Sequence, residues 1–125
     1  YLMEIHGLVK LTCTDKTVLF AHRTVLIAVS DVFTVILTSN MKEKRDREIT
    51  VDASGDTMRV ILKFIYFGDT NCISEGPTFD DYRKLLHASH LYGLPQLVSY
   101  ITERLLEQMK IFPKQNLAGT KYIHT

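Results

Sequence analysis

No run of roughly 18 apolar residues occurs in the 125-residue chain, so no segment reads as a bilayer-spanning helix. The first residues lack the basic-then-apolar layout of a secretory signal, and the chain holds no Asn-x-Ser/Thr acceptor. An intracellular setting, cytoplasm or nucleus, is therefore the expectation, with no membrane partner. Cysteine is scarce: Cys13 and Cys72 stand far apart without paired spacing. That argues against a disulfide framework or a structural zinc and fits two reduced thiols, each serving as a small buried hydrophobe. An excess of one charge is missing too. Fifteen Lys and Arg against 14 Asp and Glu leave a net charge of +1, too weak a field to gather a polyanion, which argues against nucleic acid as a direct partner. There is no Gly-rich phosphate loop, no Gly-x-Ser-x-Gly elbow and no Cys-x-x-Cys, so the usual marks of catalysis and of cofactor binding are missing.

What is present is the composition of one globular domain, 46% hydrophobic and 23% charged. Leu8 to Thr14 alternates, placing Val9, Leu11 and Cys13 on one face of a strand; Asp15-Lys16 turns the chain into a second strand from Thr17. From His22 the apolar spacing becomes helical, with Val25, Leu26 and Val29 on one helix and Phe33, Ile36 and Leu37 on the next. Ser30 between them is a suitable N-cap, and Asp31 suits the positive end of the helix dipole. Asn40 to Glu48 mixes charges and reads as an exposed loop; Ile49-Thr50-Val51 reads as a third strand.

Met58, Ile61, Leu62 and Ile65 follow the helical repeat inside a segment that is apolar nearly all round, which marks it as central to the core. A turn-rich stretch with a short strand around Cys72-Ile73 leads to Thr78-Phe79-Asp80-Asp81, a capping-box pattern before a helix that places Tyr82, Leu85, Leu86 and Ser89 on one face. Gly93 then stops that helix and Pro95 starts another, whose expected buried face is Leu94, Leu97, Val98, Ile101, Leu105 and Met109. Pro113 and Gly119 are expected to break any longer helix. The order describes an α+β fold, a small sheet flanked by five or more helices, with residues 8–109 as the domain and 110–125 as a linker or the start of a following helical element.

Three segments share one pattern. Leu19 to Phe33 reads apolar, any residue, Ala21, His22, Arg23, two spacers, Leu26, three spacers, Ser30, two spacers, Phe33. Tyr66-Phe67-Gly68 is an aromatic "Tyr-x-Gly" helix ending, and Leu86 to Leu97 carries Leu86, Ala88, Ser89, Tyr92, Leu94 and Leu97 at the spacing of a hinge between two helices. In this order they resemble BTB/POZ domains over about Leu8 to Met109. Zinc-finger members of that family pair an acidic residue at the first strand with an arginine; Arg23 matches the arginine, but Leu8-Val9 replaces the acid, so the resemblance does not extend to their charged groove.

The resemblance implies a non-catalytic module that homodimerises and docks other proteins. It places Val25, Val29 and Val32 of the first helix region at the dimer face, although apolar helix positions are as readily core. In cullin-3 ubiquitin ligases, family members act as substrate adaptors through a loop motif of an apolar residue, any residue, then Glu. Met41-Lys42-Glu43 is similar to that motif, with Met41 suited to a shallow apolar pocket and Glu43 to a basic side chain or backbone donors. The alternative implied role is a homo-oligomerisation module of a transcriptional regulator or scaffold without ligase work.

Other constellations read as structural. His87 and His90 have a spacing open to two metal ligands but lack a third, so they read as partly exposed helix residues. Asp80 and Asp81 suit a helix dipole, and Lys42, Lys44, Arg45 and Arg47 alternate with acids in a solvated loop.

Overall fold

The computed structural model describes residues 7–39, 48–70, 73 and 78–115, with the backbone alone for 110–115. Strands β1 (Leu8–Thr12) and β2 (Val18–His22) form an antiparallel hairpin, and β3 (Glu48–Thr50) pairs with β1 in parallel, so the sheet order is β2-β1-β3. The helices are α1 (Arg23–Val29), α2 (Asp31–Ser39), α3 (Gly55–Phe67), α4 (Phe79–Leu91) and α5 (Pro95–Gln115).

The alternation in β1 has the expected result: Val9, Leu11 and Cys13 are buried, and Lys10 faces outward, within 3.1 Å of Glu48 across the strand pair. That ion pair is exposed and contributes at most about 1 kcal/mol. The inner face continues through Ala21, Ile49 and Val51. At the hairpin turn, Lys16 adopts a left-handed φ of 73°, and Cys13 N–H donates to the Thr17 carbonyl at 2.8 Å.

The helix starts follow their local chemistry. Ser54 Oγ accepts the Thr57 N–H at 3.3 Å to open α3, and the Thr78–Asp81 capping box opens α4, both of its bonds 3.1 Å long. Gly68, with φ of 78°, closes α3 by donating its N–H to the Phe64 carbonyl. Met58, Ile61, Phe64 and Ile65 make α3 the centre of the core, meeting Leu11 and Val51 of the sheet side and Tyr82, Leu85, Leu97 and Ile101 of the last helices in one buried cluster.

Three expectations are corrected. Helix α5 does not break at Pro113 but runs to Gln115; the proline lies in the last turn, where its missing N–H removes one bond near a helix end. Met109 is 43% exposed rather than core, because the buried stripe of α5 ends at Leu105. Ile73 is buried but not in a strand, its N–H donating to the Thr70 carbonyl at 3.1 Å, while Cys72 lies outside the described residues.

Candidate interaction surface

The three segments that share the sequence pattern meet in space. Ser30, which is fully buried, accepts the Phe33 N–H at 3.0 Å and donates its hydroxyl to the Tyr92 carbonyl at 2.5 Å. It is both the α2 cap expected from sequence and a tie to the α4–α5 hinge that no local signal announces. The Tyr92 ring stacks on Phe33 with centroids 4.8 Å apart and planes 5° from parallel, and its hydroxyl accepts the Asp52 N–H at 2.8 Å. Burial pushes the Tyr92 hydroxyl pKa up, so it stays a neutral phenol.

Beside it, Gly93 adopts φ of 67°, and a Cβ there would lie 3.0 Å from Val32 Cγ2. Conformation and space both call for glycine.

At the other end of the first segment, His22 precedes α1 without capping it through its side chain. Its backbone N–H donates to Tyr66 Oη at 2.8 Å, and its ring Nδ1 lies 2.9 Å from the same oxygen. A tyrosine hydroxyl satisfies both, because it accepts twice and donates once. The tyrosine of the second segment thus holds the histidine of the first.

Of the residues expected at a dimer face, Val25 is half-buried against the core, Val29 is 41% exposed, and Val32 packs on Gly93. Val29 is the most exposed of the three. Met41 and Glu43 lie outside the described residues.

Titratable groups are dispersed. His87 and His90 are exposed, and His87 Nε2 stands 3.5 Å from Asp52 Oδ2 beside an open cleft of about 440 Å³ that Thr14, Ser54, Arg83 and Lys84 also line. Arg83 and Lys84 approach the Asp80 carboxylate to 2.6 and 3.2 Å and hold its pKa below the usual range. Burial, with the Asp15 charge nearby, pushes the Cys13 thiol up, the opposite of what a nucleophile needs. Among the described residues no group of three His, Cys, Asp or Glu side chains is placed to hold a metal ion, and no helix is long and apolar enough to cross a membrane.

The family model for the BTB/POZ domain matches residues 9–109. Among curated proteins, the chain is 31% identical to Kelch-like protein 40a of Danio rerio over an alignment 90 residues long that covers 68% of this chain and 14% of that protein. It is 28% identical to BTB/POZ domain-containing protein 9 of Drosophila melanogaster over 93 residues, 73% of this chain and 12% of that protein. The chain therefore spans only a small part of the curated relatives it matches.

Among solved structures, the BTB domain of human Gigaxonin aligns with a TM-score of 0.64 at 23% identity, covering 83% of this chain and 81% of that one. The BTB domain of zebrafish PATZ1 aligns with a TM-score of 0.63 at 19% identity, covering 79% and 75%. With the His22–Tyr66 and Ser30–Tyr92 ties joining its three pattern segments, the chain belongs to the BTB/POZ domain family, whose members are protein-interaction modules.

Proposed function

We propose that this chain is the homodimerising part of a substrate adaptor, and that it recruits the N-terminal region of cullin-3 through the loop between α2 and β3. Its mechanism is proximity: the domain holds the ligase near a substrate bound by segments outside the 125 residues. No cofactor enters this reading. The domain is assigned to residues 8–109, with 110–125, whose first residues to Gln115 continue α5, as a linker or the start of a following helical element.

The observation that carries the reading is the sequence position of Met41-Lys42-Glu43. In sequence the tripeptide comes one residue after α2, which ends at Ser39 and is anchored by the buried Phe33 and Leu37, and it precedes β3, which begins at Glu48. The match to a Kelch-like protein supports the same assignment. For the dimer, the 41% exposure of Val29, flanked by Val25 and Val32, supplies the apolar contact.

The test is binding of the purified chain to the cullin-3 N-terminal region. Met41→Ala with Glu43→Ala is expected to weaken it by about tenfold or more, the loss of one interface hot spot. Undiminished binding removes the motif from the site. Sedimentation over a concentration series reads the dimer, and a monomer at every concentration overturns that part.

A second reading, a self-association module without ligase work, is favoured by the exposure of both Val29 and Val35 on the α1–α2 pair, which is independent of the loop. A stable dimer that fails to bind cullin-3 would select it.

A further inference from the structure

We propose that the groove between α3 and β2 docks an extended peptide segment of a partner protein, apolar at its centre and flanked by Asp or Glu. This site is separate from the α1 valines and from the loop after α2, and it does not rest on the cullin reading.

Four observations converge. First, β2 is an edge strand. Its ladder with β1 is bracketed by the bonds Cys13 N–H to Thr17 carbonyl and Arg23 N–H to Gly7 carbonyl. Antiparallel pairing alternates, so Leu19 and Ala21 turn their backbone groups to β1, while Val18, Phe20 and His22 turn theirs outward. The His22 N–H is taken by Tyr66 Oη. Those of Val18 and Phe20 have no protein partner among the described residues and are open to an added strand.

Second, apolar surface is concentrated here. Val18 (42% exposed), Phe20 (59%), Tyr66 (43%) and Phe67 (71%) are four of the nine large hydrophobic side chains exposed among the described residues. Phe20, Tyr66 and Phe67 line, with Leu62, a groove of about 420 Å³. Third, Phe20 and Phe67 both occupy positions that the family pattern leaves open, the residue before Ala21-His22 and the x of Tyr-x-Gly. The fold does not require an aromatic at either. An exposed apolar cluster that folding does not need marks an interaction site.

Fourth, the charge on the groove has one sign. Arg59 and Lys63 line it and no carboxylate does. Lys10, the cross-strand partner of Phe20, lies outside the lining and is paired with Glu48 at 3.1 Å, so it adds no net charge. Arg59 also meets the exposed Asp56 at 3.0 Å, whereas Lys63 has no ion pair among the described residues. Two copies of the chain set groove to groove would oppose these cations, so the charge selects an acidic partner over self-association.

The test is selection of a random peptide library displayed on phage against the 125-residue chain, followed by fluorescence anisotropy of a labelled copy of the top sequence. The enriched sequences are expected to carry bulky apolar residues two apart with Asp or Glu beside them. Binding of that peptide should fall about tenfold or more with Phe67→Ser and with Lys63→Glu, and weaken as salt is raised. Both changed side chains are exposed, and an unchanged thermal midpoint checks the fold; if Phe67→Ser unfolds, Lys63→Glu still decides.

Failure to enrich any sequence, enrichment of basic sequences, or equal binding by both variants overturns the proposal. So does a dimer that sediments as monomer once Phe20→Ser and Phe67→Ser are combined, which would assign the groove to a second copy.

Discussion

The hydroxyl of Ser30 donates at 2.5 Å to the carbonyl of Tyr92, 62 residues away, while accepting the N–H that opens α2. One buried side chain thus starts a helix and fastens it to the far hinge.

Ser30→Ala removes both bonds at once, leaving the Phe33 N–H and the Tyr92 carbonyl unpaired in the core. The loss of a cap and the burial of an unpaired carbonyl together predict a destabilisation of about 2–3 kcal/mol. Urea unfolding of the variant against the native chain measures it, and a change under about 0.5 kcal/mol would show that water or a relaxed backbone replaces the hydroxyl.

Tyr92 contributes through two separable parts. Tyr92→Phe keeps the stack on Phe33 and loses the bond to the Asp52 N–H, so it should cost about 1 kcal/mol; Tyr92→Leu should cost about 1 kcal/mol more by removing the parallel ring pair. Equal costs for the two variants would mean that the stacking contributes nothing beyond apolar burial.

Gly55 opens α3 directly against the hairpin turn, where an added Cβ would sit 2.6 Å from the Thr17 side chain. Gly55→Ala is therefore expected to destabilise by about 1–3 kcal/mol although alanine is the better helix former. Combining it with Thr17→Gly should recover part of that loss, a coupling that a double-mutant cycle in denaturant reads directly.

The carboxylate of Asp15, in the same turn, accepts from Thr17 N–H at 3.1 Å and from Gly55 N–H at 3.2 Å, and the bonds to Thr17 and then to Gly55 lower its pKa. A folded-state pKa below the unfolded one contributes stability above the unfolded value, about 3.9, and that contribution is lost as the pH falls through the folded value. Asp80, lowered by Arg83 and Lys84, acts in the same direction. Unfolding free energy should decline below about pH 4, and Asp15→Asn should flatten the decline; an identical acid slope in the variant would count against the turn as its source.

Much of the fold was legible because its signals are local. The alternation of Val9, Leu11 and Cys13, the cap at Ser30, the capping box at Thr78–Asp81 and the Gly93–Pro95 punctuation each act within a few residues, and each appears where the spacing predicts. The departures come from the same short range. Pro113 reads as a stop but lies where α5 is already ending, and Met109 keeps the helical period of a stripe whose partner surface ends at Leu105.

The candidate site was less legible. Val25, Val29 and Val32 look alike in the sequence, and only packing separates them: Val25 rests on the core, Val32 on Gly93, and Val29 faces out. The exposed aromatics of β2 and α3 gave no signal either. Val18 to Ala21 is apolar throughout, so periodicity could not say which residues face inward.

The order of elements, their caps and the family pattern were determined by the sequence itself, because they depend on neighbours a turn or a strand step apart. Tertiary structure alone decided that Tyr66 holds His22, that Ser30 reaches Tyr92, and that Phe20 and Phe67 share one groove. Those contacts join residues distant along the chain, and a one-dimensional pattern carries no distance between them.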